Sequence, residues 1–263
     1  MSCCPPNAEK YLAASGPTNG QCLTLASGQE VYCSAPATSG KKGVLIIPDV
    51  YGWNGGRTRS IADMFAEAGY LAVVPKLMVP PLEGGTDGDG LYPTFSFETD
   101  VAKFPPYMSQ FDWKGALDKR IADSVAYLKE QGVEKIAGVG FCWGGWVLCN
   151  ALAEELGESF VCGCIPHPSV QLENMIFQRN VLALFENVKK PLMLLNAKGD
   201  SEDYHTEGAW FKAHHARHPT AEAHNYLNMN HGFVSRGDPK DPETQAAATE
   251  AVHHCFRFIA AHM

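Results

Sequence analysis

Cys142, Asp200 and His231 lie far apart in the chain, yet their types and settings are those that acyl transfer requires. Cys142 sits in Gly140-Phe141-Cys142-Trp143-Gly144, directly after the strand-like run Lys135–Val139 and before the helix-like run Trp146–Leu152. A cysteine at such a strand-to-helix turn reads as a nucleophile elbow: the tight turn forces strained angles on its central residue, and small residues two positions either side let strand and helix approach. The turn would lift the sulfur to the top of a sheet. It would also aim the first helical amides, that of Trp143 among them, at an oxyanion forming beside it, and the helix dipole would favour the thiolate. A glycine-flanked cysteine that merely packs in a core is the plain alternative.

The order of partners downstream argues for chemistry. Nucleophile elbows are followed in the chain by an acid and then a histidine, each after a later strand. The run Pro191–Asn196 reads as a buried strand that ends in Ala197-Lys198-Gly199-Asp200, and Glu222–Leu227 alternates as a final strand leading to Asn230-His231-Gly232-Phe233. Asp203, in the same loop as Asp200, is the alternative acid.

These motifs, together with Pro48-Asp49-Val50-Tyr51-Gly52 at the end of an early strand, resemble the dienelactone hydrolase family of the α/β-hydrolase fold, from about Gln29 to the C-terminus. The resemblance implies a carboxylic ester hydrolase acting on a small-molecule ester, lactone or thioester. Cys142 would attack the carbonyl carbon, His231 would serve as base and then acid, and Asp200 would orient the imidazole. The backbone amides of Trp143 and Val50 would form the oxyanion hole. Asp49 takes the place of a glutamate that holds or releases the thiol proton, with a shorter side chain; a strand-end acceptor for backbone amides is the other reading. The family's lactone-binding arginines fall at Pro80 and Ser235, with Arg236 one residue later. Tyr51, Trp53, His167, Phe233 and Arg236 are candidate substrate contacts. This chemistry needs no cofactor or metal. Two rivals are a non-catalytic or redox-sensing thiol protein, and a glycosidase using the carboxylates of Asp49 and Asp200.

The elements that must position these residues alternate: strands near Gln29–Ser34, Gly43–Pro48 and Leu71–Val74, and helices over Arg57–Ala68 and Trp113–Gln131. The expected fold class is α/β, an α/β-hydrolase fold with a mostly parallel central sheet and helices on both faces. Residues 1–28 read as a turn-rich N-terminal extension and 29–263 as one domain. Within that domain 80–106, rich in glycine and proline, is an excursion that could serve as a lid. Its Asp87 and Asp89 have the spacing of a calcium loop without the remaining ligands. His214 and His218 are spaced as a helix face, without the carboxylate a metal site would add.

With 263 residues and 45% hydrophobic content the chain can bury a large core. A formal charge of −8 disfavours nucleic acid and anionic membrane as partners, since both require a basic face. The sequence contains neither a membrane-spanning run nor a secretory leader, so a cytoplasmic location is expected; the oligomeric state is left open. The nine cysteines read mostly as buried thiols, with Cys22 and Cys33 a conceivable pair and Cys3 and Cys4 on a flexible, reduced terminus.

Overall fold

Short aliphatic runs alternate with amphipathic ones over most of the chain, and the computed structural model, which describes residues 4, 5, 7–14, 18–37 and 40–263, folds them into one eight-stranded sheet flanked by helices. The strands are β1 (Gln21–Thr24), β2 (Glu30–Ser34), β3 (Lys42–Ile47), β4 (Leu71–Pro75), β5 (Lys135–Gly140), β6 (Phe160–Pro166), β7 (Leu192–Lys198) and β8 (Glu222–Asn230), in the order β1-β2-β4-β3-β5-β6-β7-β8. β1 and β2 pair antiparallel, as do β2 and β4; the remaining pairs are parallel.

Successive residues of β3 point to opposite faces and are buried on both. Val44 and Ile46 pack with Phe65 of α1 (Thr58–Glu67), while Leu45 and Ile47 join the cluster on the other side. A strand covered on both faces has no polar alternation, which is why the central strands read as continuous apolar runs. After α1 come α2 (Phe104–Met108), α3 (Asp118–Glu130), α4 (Trp143–Ala153), α5 (Leu172–Met175), α6 (Val181–Asn187), α7 (Ala209–His215), α8 (Phe233–Arg236) and α9 (Pro242–His262). Phe258 and Ile259 of α9 share the α1 face; Ile121 of α3, Leu148 of α4 and Phe185 of α6 lie on the opposite one.

Three elements differ from the sequence reading. Gln21–Thr24, expected as part of a turn-rich extension, adds a strand to the sheet edge. Its register sets Cys22 against Tyr32 and Gln21 against Cys33, so the two cysteines fall one residue out of step, on opposite faces, and neither is in a disulfide. The helix expected from Trp113 becomes regular only at Asp118, because Lys114 (ψ 121°) and Gly115 (φ 87°) break its first turn. Conversely, α4 begins at Trp143, three residues before its apolar run.

The excursion over 80–106 packs inward through Leu91, Phe95 and Phe104, all buried. Its anchor is Asp89, fully buried, whose carboxylate accepts the amides of Trp53 (2.8 Å) and Met78 (2.6 Å). Burial raises this carboxyl to about 6 against the opposing pull of those amides. Asp87 pairs instead with Arg59 at 3.0 Å, so the two aspartates hold different parts of the loop. Among the described residues no helix is long and apolar enough to cross a membrane.

Candidate active site

The sheet register brings the site together. Ile47 of β3 pairs with Gly140 of β5, so Val50 and Cys142, three and two residues beyond, emerge at the same end of adjacent strands. Cys142 has φ 53° and ψ −114°, a conformation few side-chain-bearing residues adopt. The flanking glycines make it possible. A Cβ on Gly140 would lie 2.4 Å from the Gly144 carbonyl, and one on Gly144 would lie 2.4 Å from the Ile47 carbonyl. The Cys142 amide donates to the Pro166 carbonyl (3.2 Å), and its own carbonyl accepts from Gly145 (3.0 Å) and Ser169 (3.2 Å). Cys142 thus caps α4, with the Trp143 amide at the positive end of the helix. Val50 is wholly buried, and its carbonyl accepts the Leu91 amide at 2.8 Å.

On the next strands, β7 ends at Lys198 and Gly199 (φ 85°) turns the chain so that Asp200 folds back. One Asp200 oxygen accepts the Ala197 amide at 2.8 Å, and the other lies 2.5 Å from Nδ1 of His231. Both side chains are within 1% of complete burial. Nε2 of His231 is 3.5 Å from Oγ of Ser169, which is in turn 3.3 Å from Sγ of Cys142. Burial opposes charging the His231 ring, but the Asp200 carboxylate, followed by the sulfurs of Cys142 and Cys4, outweighs it and holds the ring well above the usual histidine range. Asp203 does not take this position: its carboxylate receives the Ser201 hydroxyl and the Ala209 amide, both at 3.4 Å, ahead of α7.

Asp49 is occupied differently from the thiol-switch expectation. Oδ1 accepts the Tyr51 amide (2.9 Å), and Oδ2 accepts the Ser235 hydroxyl (2.8 Å) and Nη1 of Arg236 (2.6 Å). This geometry agrees with the strand-end acceptor reading. Arg236, a candidate substrate contact, is 2% exposed and engaged by Asp49; its guanidinium lies 4.9 Å over the Tyr51 ring. Trp53 is not brought to the thiol: its indole carries Arg59 at 4.4 Å, donates to the Asp87 carbonyl, and belongs to the core cluster opposite that of Cys142. His167, at φ 42° and fully buried, stacks on Phe141 and meets the rings of His231 and Phe233 at 5.1 and 6.0 Å. Burial, then the neighbouring His231 charge, pushes its pKa far down, so it stands as a neutral ring beside His231.

Two participants were missed in the sequence. Ser169 lies two residues beyond His167, itself a candidate substrate contact, and that nearness was the available signal. The other is the N-terminal strap. Cys4 is 3% exposed, with its sulfur 3.7 Å from that of Cys142, in place of the expected flexible terminus; Cys3 lies outside the described residues. The strap is held by the Glu9 amide on the His231 carbonyl (2.7 Å), Asn7 on Asn230 (3.0 Å), the Gly56 amide on the Leu12 carbonyl (2.8 Å) and Tyr11 against Tyr51 (5.5 Å). Between strap and excursion runs a groove of about 170 Å³, walled by Pro5, Ala8, Tyr51, Phe95 and Phe97. The sulfurs of Cys4 and Cys142 and a ring nitrogen of His231 lie within 4.8 Å of one another, a donor set able to hold a metal ion.

The sequence profile of the dienelactone hydrolase family matches residues 30–263. The human carboxymethylenebutenolidase homolog is 31% identical over 173 residues, which make up 65% of this chain and 61% of that protein, so the match spans less than two thirds of the relative's length. Hydrolase tropI of Talaromyces stipitatus is 27% identical over 237 residues, 87% of this chain and 85% of that one. A crystal structure of a Klebsiella pneumoniae protein assigned as a dienelactone hydrolase superposes with a TM-score of 0.70 at 17% identity, covering 93% of this chain and 99% of that one, and shares the α/β-hydrolase fold. With β5, the Cys142 elbow and the β7 and β8 loops all inside the matched span, the chain belongs to the dienelactone hydrolase family.

Proposed function

We propose that this protein hydrolyses small activated esters, lactones or thioesters through a thioester on Cys142. The observation that carries the reading is the convergence, at the carboxyl ends of four parallel strands, of the positive-φ cysteine, the Ser169 hydroxyl beside it, and His231 held at 2.5 Å by Asp200. In the first step the Cys142 thiol proton passes to His231, the sulfur forms a bond to the carbonyl carbon, and the carbonyl π pair moves to oxygen, where the Trp143 and Val50 amides receive it. Each such donor supplies on the order of 10²–10³ in rate. Collapse expels the alcohol or enol oxygen, or the sulfur of a thioester, which takes its proton from His231. Water, deprotonated by the same ring, then attacks the thioester, releasing the carboxylic acid and regenerating the thiol.

A thiolate is also a good leaving group, so substrates whose alcohol leaves easily are favoured over amides. The two side chains nearest the family's arginine after the histidine, Ser235 and Arg236, are both engaged by Asp49, which leaves an apolar acyl group a better match than a carboxylate-bearing lactone. Entry requires the strap to yield. Cys142 and His231 are completely buried, and the adjacent groove of about 170 Å³ is smaller than the roughly 300–1,000 Å³ typical of ligand sites. The geometry counts against the glycosidase and is divided on the redox sensor. A glycosidase needs two available carboxylates, whereas Asp49 is paired with Arg236 and Asp200 with His231. A redox sensor gains a second thiol, with the Cys4 sulfur 3.7 Å from that of Cys142, but it too needs the strap to yield, and it leaves the Asp200-held His231 without a task.

The test is release of nitrophenol from short and medium acyl esters, with a dienelactone-type lactone in parallel, by wild type, Cys142→Ala and His231→Ala. Turnover by wild type and its loss in both variants supports the proposal. Wild type inert on every substrate, while Cys142 still alkylates quickly, would sink it.

A further inference from the structure

Cys4, Cys142 and His231 come from the strap, the elbow after β5 and the loop after β8, and all three are buried. We infer that these three side chains form a binding site for a soft divalent cation of the zinc type, occupation of which shuts off the hydrolytic site. The donors are two sulfurs and one imidazole nitrogen, a set that selects zinc-like ions over magnesium or calcium, which take oxygen ligands. A tetrahedral zinc ion with bonds of about 2.3 Å to sulfur and 2.0–2.1 Å to nitrogen sets sulfur–sulfur and sulfur–nitrogen edges of about 3.8 and 3.6 Å. The two sulfurs already stand 3.7 Å apart, and all three donor atoms fall within 4.8 Å, so the arrangement must tighten only slightly to close on an ion.

The surroundings of the donors also suit a metal. Asp200 holds Nδ1 of His231 at 2.5 Å, leaving Nε2 on the side of Ser169 and the sulfurs; a carboxylate behind the ring is the usual support for a ligating histidine. Cys4 is delivered by an anchored segment, since the Glu9 amide bonds the carbonyl of His231 itself at 2.7 Å and Nε of Arg236 donates to the Glu9 carbonyl at 3.2 Å. On binding, Cys4 and Cys142 coordinate as thiolates and Nε2 of His231 through its lone pair, so every proton these three atoms carry passes to solvent; two metal–sulfur bonds and one metal–nitrogen bond form, and nothing is oxidised or reduced. Three protein donors leave one tetrahedral position over. Because the ion takes both the sulfur that would attack and the nitrogen that would carry the proton, hydrolysis cannot proceed while it is bound. The blocking effect rests on the function proposed above; the binding does not.

The reduced, chelator-treated full-length protein would be titrated with cadmium, following thiolate-to-metal charge-transfer absorbance, and zinc affinity would be measured by competition with a chromophoric chelator. The expected result is one equivalent per chain with a thiolate signal. Cys4→Ser should lose stoichiometric binding, Asp200→Asn should weaken it by about 10–100-fold, and Cys22→Ser, at an exposed cysteine, should not change it. Ester hydrolysis by wild type should fall on adding zinc and return with chelator, and inhibition relative to each variant's own metal-free rate should be lost in Cys4→Ser. Undiminished binding in Cys4→Ser, or inactivation reversed by a thiol reductant but not by a chelator, overturns the inference; the latter would mean a Cys4–Cys142 disulfide. One equivalent of metal bound by a chain with no esterase activity would leave the site standing and remove the hydrolase reading.

Discussion

The buried pair of Asp49 and Arg236 sets a demanding test, because its side chains are 1% and 0% exposed and the carboxylate links the β3 loop to the segment after His231. Arg236→Met removes the cation while keeping much of the apolar stem. It leaves Asp49 with the Tyr51 amide and Ser235 hydroxyl but without a countercharge. Breaking a buried ion pair on one side costs about 3–5 kcal/mol. At roughly 2–4 °C per kcal/mol for a chain somewhat below this one's 263 residues, the melting temperature should drop by about 6–20 °C. Asp49→Asn should cost a comparable amount by stranding the guanidinium, and the double variant should be less destabilised than the sum of the two by about 1–3 kcal/mol. Urea denaturation followed by tryptophan fluorescence reads all three, with an unchanged slope expected if only stability moves. A loss under about 1 kcal/mol in Arg236→Met, or strict additivity, would refute the ion-pair account. If Asp49→Asn instead left stability intact and shifted the pH dependence of Cys142 alkylation, Asp49 would be the thiol's proton store.

Other consequences are equally measurable. Asp200→Asn removes the carboxylate that favours the charged His231 ring, so that ring's pKa falls; the alkaline limb of kcat/KM should move to lower pH and kcat should drop by about 10²–10⁴, whereas an unmoved limb would mean His231 does not titrate in the profile. Ser169→Ala deletes the hydroxyl lying 3.3 Å from the sulfur and 3.5 Å from the imidazole, and kcat/KM should fall on the order of 10-fold, less than removal of the base itself; full activity would show that thiol and base communicate without it. Gly144→Ala places a carbon 2.4 Å from the Ile47 carbonyl and 2.6 Å from that of Pro48, both backbone, and should cost about 1–3 kcal/mol in thermal or urea unfolding with a loss of turnover through the displaced Val50 amide. A neutral Gly144→Ala would mean that the elbow is looser than described.

Much of this site is written in short stretches of chain. The elbow shows itself because glycine spacing and the switch from strand to helix are local properties, and the acid and histidine follow because each ends a strand with its own periodicity. The same holds for the central strands. What stayed hidden depends on contacts between remote segments. The strap has no hydrophobic period to announce it, and Cys4 meets Cys142 across 138 residues. The burial of Arg236 is equally illegible, because nothing near it in sequence reveals that Asp49, 187 residues earlier, lies against it. Trp53 reads as a candidate contact because it is an apolar residue near a site loop, but the turn at Gly52 (φ 84°) sends its indole to Arg59 and Lys76. β1 was missed because four largely exposed residues at a sheet edge carry no burial pattern to read.

The backbone of Cys142 also narrows what evolution can do at this position. At φ 53° a residue with one unbranched Cβ substituent is strained but tolerable, at about 1–3 kcal/mol, whereas a β-branched residue is a genuine outlier. Exchange of sulfur for oxygen through serine leaves the turn unchanged, so an oxygen nucleophile lies a single side-chain atom away. Threonine carries the same hydroxyl but is barred by its methyl group. The choice of nucleophile on this scaffold is therefore limited by the shape of the chain before reactivity is considered, and lineages of this fold can drift between cysteine and serine without rebuilding the sheet beneath.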